Sequence, residues 1–512
     1  MKCSLLSSVT LALALCLTPA YAVLNPEIPS NPFAITKDLD KGGYYLDLPG
    51  TSKLTMRDEA NAPREIRAFA GDSMQQLPEA LHIKYRHRKD KSKYGPVVRV
   101  SPYELDISEI DAVKEIHRVG GRYLKSDFYE NIGHRSLKTL FSTTDPTHHA
   151  IRRRLLSAGM ARSNLARLEP VVMERVRMTI RRMSEERATR GVIDVFKWWT
   201  FMATDVIGEL SFGESFRTLD KGEKTQYIKD LENISSFMAI RTTFPTLLRY
   251  AQFIPIFPLL KRVSEAGQRM FRYAQQAIGR YQNMLVNIPD PKPTLFTKMF
   301  KGGPDGLTEF EIVLEAGGYI VAGSDTTAIT LTYLVWAVCK RPSIRDQLVA
   351  EVASLPEDFK EEDLRDLPYL NQVIQEALRL HSAVPSALPR AVPPEGASLA
   401  GYHIPGGITV STQAYTLHRS PAIFPEPESF NPSRWQDPSK EMKSMFMPFG
   451  GGSRICIGMH LAWMELLLAT ALFFRTFPGA RISQSEGMCD ADMEAKMYVL
   501  VSSRGRRCLV EI

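Results

Sequence analysis

Phe449-Gly450-Gly451-Gly452-Ser453-Arg454-Ile455-Cys456-Ile457-Gly458 runs straight into an apolar stretch that begins near Met459. That stretch reads as a helix over Leu461 to Phe474. A cysteine in this setting has what an iron-bound thiolate needs. Glycines let backbone N–H groups approach the sulfur closely and adopt unusual dihedrals. The positive end of the following helix favours the charged thiolate. Arg454 sits two residues from Cys456 and offers a cation to an anionic ligand, while Phe449 can cover the sulfur and keep water out. The alternative is a buried structural cysteine after a glycine-rich turn. Ten residues that carry all these features together count against it.

The surrounding chain has 512 residues, 44% hydrophobic and 24% charged, an ordinary globular balance that excludes whole-chain disorder. The net charge of +7 suits an acidic protein partner, an anionic membrane surface or simply a solvated basic face. No nucleic-acid motif accompanies it. The six cysteines are scattered, with no C-x-x-C pair and no zinc-like spacing, so no disulfide framework is expected. Residues Cys3 to Leu24 carry no charge and are long enough to span a bilayer. Ala20-Tyr21-Ala22 also resembles a signal-peptidase site, so an anchor and a cleaved signal both remain open. Asn233-Ile234-Ser235 is a glycosylation acceptor only if the chain is secreted.

Three segments are expected: an anchor or signal over 1–24, a Pro/Gly-rich lead-in over 25–80, and one large domain over 81–512. Tyr85 to Lys93 is a basic surface block. Pro96 to Val100 and Glu104 to Ile107 flank a Ser-Pro turn and read as a hairpin. From Asp145 to Cys339 the helical period dominates, with helices over Leu165–Arg190, Ile193–Phe212 and Ala266–Val286. Asp145-Pro146 marks a helix start, and Leu307–Lys340 is the longest candidate, with Thr308 as N-cap and Glu311 three residues on. After residue 383 Pro, Gly and short β-like runs such as Ile408–Ser411 take over. The fold class is mainly α with a small β region (α+β).

The cysteine loop resembles that of the cytochrome P450 superfamily, whose haem loop F-x-x-G-x-R-x-C-x-G is matched at Phe449, Gly452, Arg454, Cys456 and Gly458. The resemblance implies a single P450-like domain with a long central helix over haem b, and Cys456 as the axial thiolate that favours O–O cleavage. It implies insertion of one oxygen atom from O2 into an apolar small molecule, with electrons from NADPH through a separate flavoprotein reductase. Glu376-Ala-Leu-Arg379 would alone be a common surface ion pair. With Arg434 downstream it resembles the family's buried E-x-x-R charge cluster, which implies a structural role. Ala322-Gly323-Ser324-Asp325-Thr326-Thr327 is rich in poor helix formers, which suggests a local break midway along the long helix. It resembles the family's A-G-x-D/E-T-T motif. On that basis Gly323 makes room for oxygen, Thr326 donates a hydrogen bond to it and Asp325 feeds protons. A threonine there can also bond back to a helix carbonyl.

His149 and Arg153 match the family's W-x-x-x-R spacing for the haem propionates, with His148/Arg152 as the other register, and Arg390 resembles a further propionate partner. The run from Tyr94 to Leu105 resembles fungal microsomal members, many of which tailor terpenoids or polyketides. That implies an endoplasmic reticulum membrane location with the catalytic domain in the cytosol, unless the N-terminal segment is cleaved for secretion. Substrate walls are expected from segments around Phe237, Met238, Val384 and Met497. A haem-thiolate isomerase or dehydratase tends to lose the acid–alcohol pair, and Asp325 and Thr326 are both present. A non-catalytic haem sensor wants a second strong axial ligand, which Gly, Ser, Asp and Thr do not supply.

Overall fold

The computed structural model describes residues 95–132, 137–243, 258–288, 292–300, 306–497 and 499–512, together with three short strands before residue 58. The segment 1–24, the basic block Tyr85–Lys93 and the side chains of Phe237 and Met238 lie outside the described residues. Among the described residues no helix is long and apolar enough to cross a membrane. The chain divides into two units, Met1–Leu81 and His82–Ile512. In the first, β1 (Ile35–Asp38), β2 (Gly43–Leu46) and β3 (Leu54–Arg57) form an antiparallel meander with Ile35 opposite Leu46 and Gly43 opposite Arg57. This meander lies within the stretch read as an irregular lead-in. Its strands carry β-branched and aromatic residues such as Ile35, Thr36, Tyr44, Tyr45 and Thr55.

The second unit is helical with small sheets. β4 (Val97–Ser101) and β5 (Glu104–Ile107) form the expected hairpin, with an irregularity between Arg99 and Ser101. After α1 (Ile110–Ile116) comes β6 (Leu124–Lys125). α2 (Pro146–Ser157) starts where Asp145 accepts from the N–H groups of Thr147 and His148. α3 (Arg162–Arg190) ends at Gly191, whose positive φ makes the left-handed C-cap. The helix read from Ile193 starts two residues late. Ile193–Asp194 is strand β7, drawn into a sheet with the chain's last strand, and Asp194 then caps α4 (Val195–Phe212). α5 (Gln226–Thr243) and α6 (Pro258–Asn287) follow.

α7 (Glu309–Cys339) has 31 residues and carries the expected capping box of Thr308 and Glu311. At 1.5 Å per residue it runs about 46 Å through the molecule. The expected break at 322–327 is absent: α7 is continuous there. Three threonines bond back to the carbonyls four residues earlier, Thr326 to Ala322, Thr330 to Thr326 and Thr332 to Ala328, at 2.7–2.8 Å. Those bonds satisfy hydroxyls that would otherwise be poor company for an apolar core. α8 (Pro342–Ala353), α9 (Glu361–Arg365) and α10 (Pro368–Leu380) complete the central bundle. β8 (Arg390–Ala391), β9 (Ala397–Leu399), β10 (Tyr402–Ile404) and β11 (Thr409–Ser411) follow. β11 joins the hairpin in a five-stranded sheet of order β4-β5-β11-β8-β6, parallel to β5 and antiparallel to β8. α11 (Met459–Thr476) buries most of its length in the main core.

The Glu376 and Arg379 side chains on α10 are fully buried and joined by two parallel hydrogen bonds of 2.8 Å. Glu376 also accepts from Arg434 Nε at 3.1 Å, Trp435 Nε1 at 3.0 Å and the Asn431 N–H at 2.8 Å. Arg379 spends its remaining donors on the carbonyls of His418, Pro427 and Ser429. His418 accepts from the Met447 N–H at Nε2, so its Nδ1 carries the proton and donates to the Arg379 carbonyl. Burial holds the His418 imidazole neutral, pushed down to about 3. Burial does the same to His381, stacked on Tyr333, and to His117.

Two outcomes follow from this packing. Glu376→Gln leaves two guanidinium groups facing a neutral amide in a buried site, a loss of about 3–5 kcal/mol, seen as a lower denaturation midpoint and poor folded yield. Three imidazoles that ionise near 6.5 when unfolded but only near 3 when folded take up protons on unfolding. Stability is therefore lost as pH falls from 6.5 toward 3, and calorimetry at stepped pH should show the unfolding temperature dropping across that window.

Candidate active site

The cysteine loop is closed by its own backbone. Gly450 N–H donates to Met447 O at 3.1 Å and Cys456 N–H to Phe449 O at 2.9 Å. Gly450 and Gly452 have φ of 72° and 64°. At Gly452 glycine is required twice over, because a Cβ would also lie 2.1 Å from the His117 carbonyl oxygen. Phe449 packs against the main core. Cys456 lies three residues before α11, and the N–H groups of Gly458 and Met459 point at its sulfur. Burial raises the thiol pKa, while those two N–H groups and the Arg153 charge oppose the rise. The side chain nonetheless has open surface of its own, so it faces an internal space rather than packed atoms.

Tyr319, Ala322 and Thr326 share one face of α7, by their spacing of three and four residues. Ala322 is exposed near the middle of this mostly buried helix, and Thr326 is half-buried. Burial, then Glu315 and more weakly Cys456, raise the Tyr319 hydroxyl, in keeping with Tyr319 lying on the Cys456 side of α7. That face of α7 and the sulfur of Cys456 therefore look toward the same region. Gly323 does not. A Cβ there would meet Ile207 of α4 at 2.8 Å, so this glycine permits the close crossing of α7 and α4, instead of making room for oxygen. Asp325 points elsewhere again. It lines a cavity of about 50 Å³ with Phe196, Thr200, Glu232 and Arg506, room for a few waters.

A second set of basic side chains gathers away from water, with Lys125, Arg390 and His149 buried and Arg454 half-buried. Lys125 and Arg390 stand directly opposite each other across the β6–β8 pair. Arg454 and His149 join them. Among the described residues no carboxylate forms an ion pair with Lys125, Arg390 or Arg454. Their hydrogen bonds go to neutral groups: Lys125 to Phe141 O, Arg390 to Tyr129 Oη at 3.2 Å, Arg454 to Thr143 O at 3.2 Å. Lys125 also sits 4.1 Å from the Tyr129 ring centre. Burial and then the Arg390 and Arg454 charges push the Lys125 ammonium well down. Burial and Arg390 bring Arg454 to about 10, and burial with Arg454 brings His149 to about 3. Like charges gathered out of water without counter-ions are costly. A ligand with two carboxylates relieves them, and haem b carries two propionates beside an iron that a thiolate can bind. The residues present fit that group.

The paired reading of His149 with Arg153 divides. His149 lies beside the cation cluster as a neutral imidazole, whereas Arg153 donates to the Ile455 carbonyl at 2.7 Å, beside Cys456. The His148/Arg152 register is not available for propionates. Arg152 is buried and committed to Glu311 and to Glu315, the latter at 3.1 Å, and takes His148 as a further acceptor.

Comparison with known proteins agrees with this geometry. Residues 71–505 match the cytochrome P450 family. The chain is 58% identical over 82% of its length to cytochrome P450 monooxygenase tazI of Aspergillus terreus, covering 86% of that protein. It is 46% identical over 86% of its length to cytochrome P450 monooxygenase orf2 of Aspergillus niger, and 35% identical over 82% to cytochrome P450 monooxygenase aflV of Aspergillus parasiticus, covering 88% and 84% of those chains.

The chain belongs to the cytochrome P450 family. It is a haem-thiolate monooxygenase.

Two residues of this P450 site escaped sequence reading. Lys125 lies in a two-residue strand with no motif around it, and only the β6–β8 pairing places it opposite Arg390. His418 precedes Arg419 in an unremarkable helix-capping position, and only folding sets it between α10 and the haem loop. Lys125→Met should stabilise the haem-free protein by removing an unpaired buried charge. It should also weaken haem binding about ten- to a hundredfold, the worth of a charged hydrogen bond. Haem titration and thermal unfolding of the apoprotein read the two opposite signs. Gly452→Ala should fold poorly and bind no haem, since neither the backbone angle nor the His117 carbonyl leaves space.

Proposed function

We propose that this P450 inserts one oxygen atom from O2 into a C–H bond of an apolar small molecule of the terpenoid or polyketide class, in fungal natural-product biosynthesis. The observation that carries the reading is the pairing of a thiolate-ready Cys456 with an α7 face on which Thr326 and the exposed Ala322 look toward the same space. Haem bound there supplies the oxygen-activating redox chemistry, with the other oxygen atom leaving as water. Phe449, Gly458 and the Met459 N–H keep the sulfur dry and charged. Lys125, His149, Arg390 and Arg454 hold the propionates. Arg153 braces the loop backbone behind the sulfur.

Thr326 acts as the proton donor at the oxygen side. Its hydroxyl rests on the Ala322 carbonyl at 2.8 Å and must exchange that acceptor for the oxygen to be protonated. Asp325, the neighbour of Thr326 on α7, feeds protons toward it through water; its carboxyl lines a small cavity that also holds Glu232 and Arg506. Electrons come from NADPH through a separate flavoprotein reductase that docks by charge, in keeping with the net charge of +7. Membrane attachment at the endoplasmic reticulum, with the catalytic domain in the cytosol, rests on the apolar segment from Cys3 to Leu24. Half-buried Val384 and Met497 are the substrate-wall candidates whose side chains are described.

The ferrous–CO difference spectrum tests the core of this reading. A strongly red-shifted Soret band in the parent, absent in Cys456→Ala, supports thiolate-ligated haem, and a histidine-type band refutes it. With an apolar substrate and reductase present, Thr326→Ala should keep consuming NADPH while product per NADPH falls on the order of 100-fold and peroxide rises. An unchanged product yield would remove Thr326 from the proton path.

A further inference from the structure

Beyond α10 the chain runs extended from Ala383 to Pro389, and its burial alternates. Ala383, Pro385, Ala387 and Pro389 are buried, whereas Val384, Ser386 and Leu388 keep open surface. A period of two is what an extended backbone gives. The backbone is tied down on several sides. Ala383 O accepts from the Val501 N–H at 3.0 Å, Pro385 O from the Tyr415 N–H at 3.1 Å and Pro389 O from the Ser126 N–H at 3.4 Å. The Leu388 N–H donates to Thr412 O at 2.9 Å. A segment so fixed cannot turn its open face away without breaking these bonds.

The two ends of the segment say where that face looks. At its start, Val501 lines the same cavity as Asp325 and Ala328 of α7. At its end, Arg390 stands in the cation cluster opposite Lys125. Between them, Leu388 Cδ1 comes within 3.7 Å of where a Cβ on Gly450 of the haem loop would lie. The open face therefore lies between α7 and the propionate-binding cations, on the side of the haem loop. Two of its three side chains are aliphatic, and Ser386 is not. Among the described residues its hydroxyl donates to Val499 O, in the turn between Ala495–Met497 and Val501–Ser503, at 3.3 Å. That is long for an O–H···O bond, which centres on about 2.8 Å. A hydroxyl held so loosely keeps two acceptor lone pairs and can also turn its proton to a better acceptor.

We propose that Ser386 is a specificity-determining residue whose hydroxyl binds an oxygen function, a hydroxyl or a carbonyl, on an otherwise apolar substrate. The inference rests on the haem-thiolate pocket proposed above and narrows its substrate to a molecule that already carries oxygen. Val384 and Leu388 take the carbon skeleton on either side of that contact. With its oxygen function held at Ser386, the substrate presents one part of its skeleton toward Thr326 and keeps the rest away. A site that hydrogen-bonds an oxygen function disfavours the analogue without it, whereas a wall of aliphatic side chains alone does not tell the two apart in this sense.

The test uses the haem-loaded full chain and three probes with one carbon cage: adamantane, 1-adamantanol and 2-adamantanone. Binding is read from the spin-state shift of the ferric Soret band, which needs neither reductase nor turnover. Ser386→Ala should weaken the oxygenated probes about three- to tenfold, the worth of one neutral hydrogen bond, and leave adamantane unchanged. Ser386→Thr, which restores a hydroxyl, should recover the preference. A loss confined to 1-adamantanol makes Ser386 the acceptor, and one confined to 2-adamantanone makes it the donor; both support the proposal. An equal change for all three probes makes Ser386 a brace for the Val499 turn and overturns it, as does no change for any. The ferrous–CO band separates this failure from a deeper one. Where parent and variants keep the red-shifted band, a negative result strikes Ser386 alone. A parent without that band loses the haem-thiolate site and this inference with it.

Discussion

The Glu376 carboxylate is the point from which the iron-side architecture is hung. It takes a bidentate guanidinium from its own helix and three further donors from the chain around Asn431 to Trp435, all away from water. A carboxylate so surrounded cannot shift without stranding charge, so α10 and the loop after residue 425 move as one body. Arg379 extends the linkage to the His418 carbonyl, and the His418 ring extends it to Met447. Met447 O then receives Gly450, and Phe449 O receives Cys456. A continuous run of hydrogen bonds thereby leads from a structural ion pair to the sulfur.

The molecule treats buried charge in two opposite ways. At Glu376 the buried carboxylate is met by two guanidinium groups inside the protein. At Lys125, Arg390 and Arg454 the cations are left to one another, and their pKa values fall accordingly where a shift is resolved. The first arrangement stabilises the chain whether or not a ligand is bound. The second is a standing cost that an anionic group removes, which turns the fold's own strain into affinity for haem.

α7 serves four neighbours with four faces. Gly323 lets it cross α4 closely, Ala322 and Thr326 look toward the sulfur, Asp325 opens on a small cavity, and Thr327 is buried in the core. Adjacent residues on a helix are about 100° apart, so a run of six small and polar residues can address all four at once. Back-bonding threonines let that run stay helical where propensity alone argues for a break.

The sequence by itself determined the helical class, the capping box at Thr308, the E-x-x-R pair and Cys456 with its loop, because each is encoded in residues a few positions apart. Local spacing is enough for a turn, a cap or a helix face. Only the tertiary structure decided which way Gly323 faces, that Arg153 braces Ile455, that Arg152 is spent on Glu311 and Glu315, and that Ile193 belongs to a strand. It alone placed Lys125 opposite Arg390 and His418 beneath the loop. These pairings join residues from 29 to 317 positions apart, a gap that helical and strand periods do not span. Burial then did the rest, since a side chain's charge and partners depend on what surrounds it once water is gone.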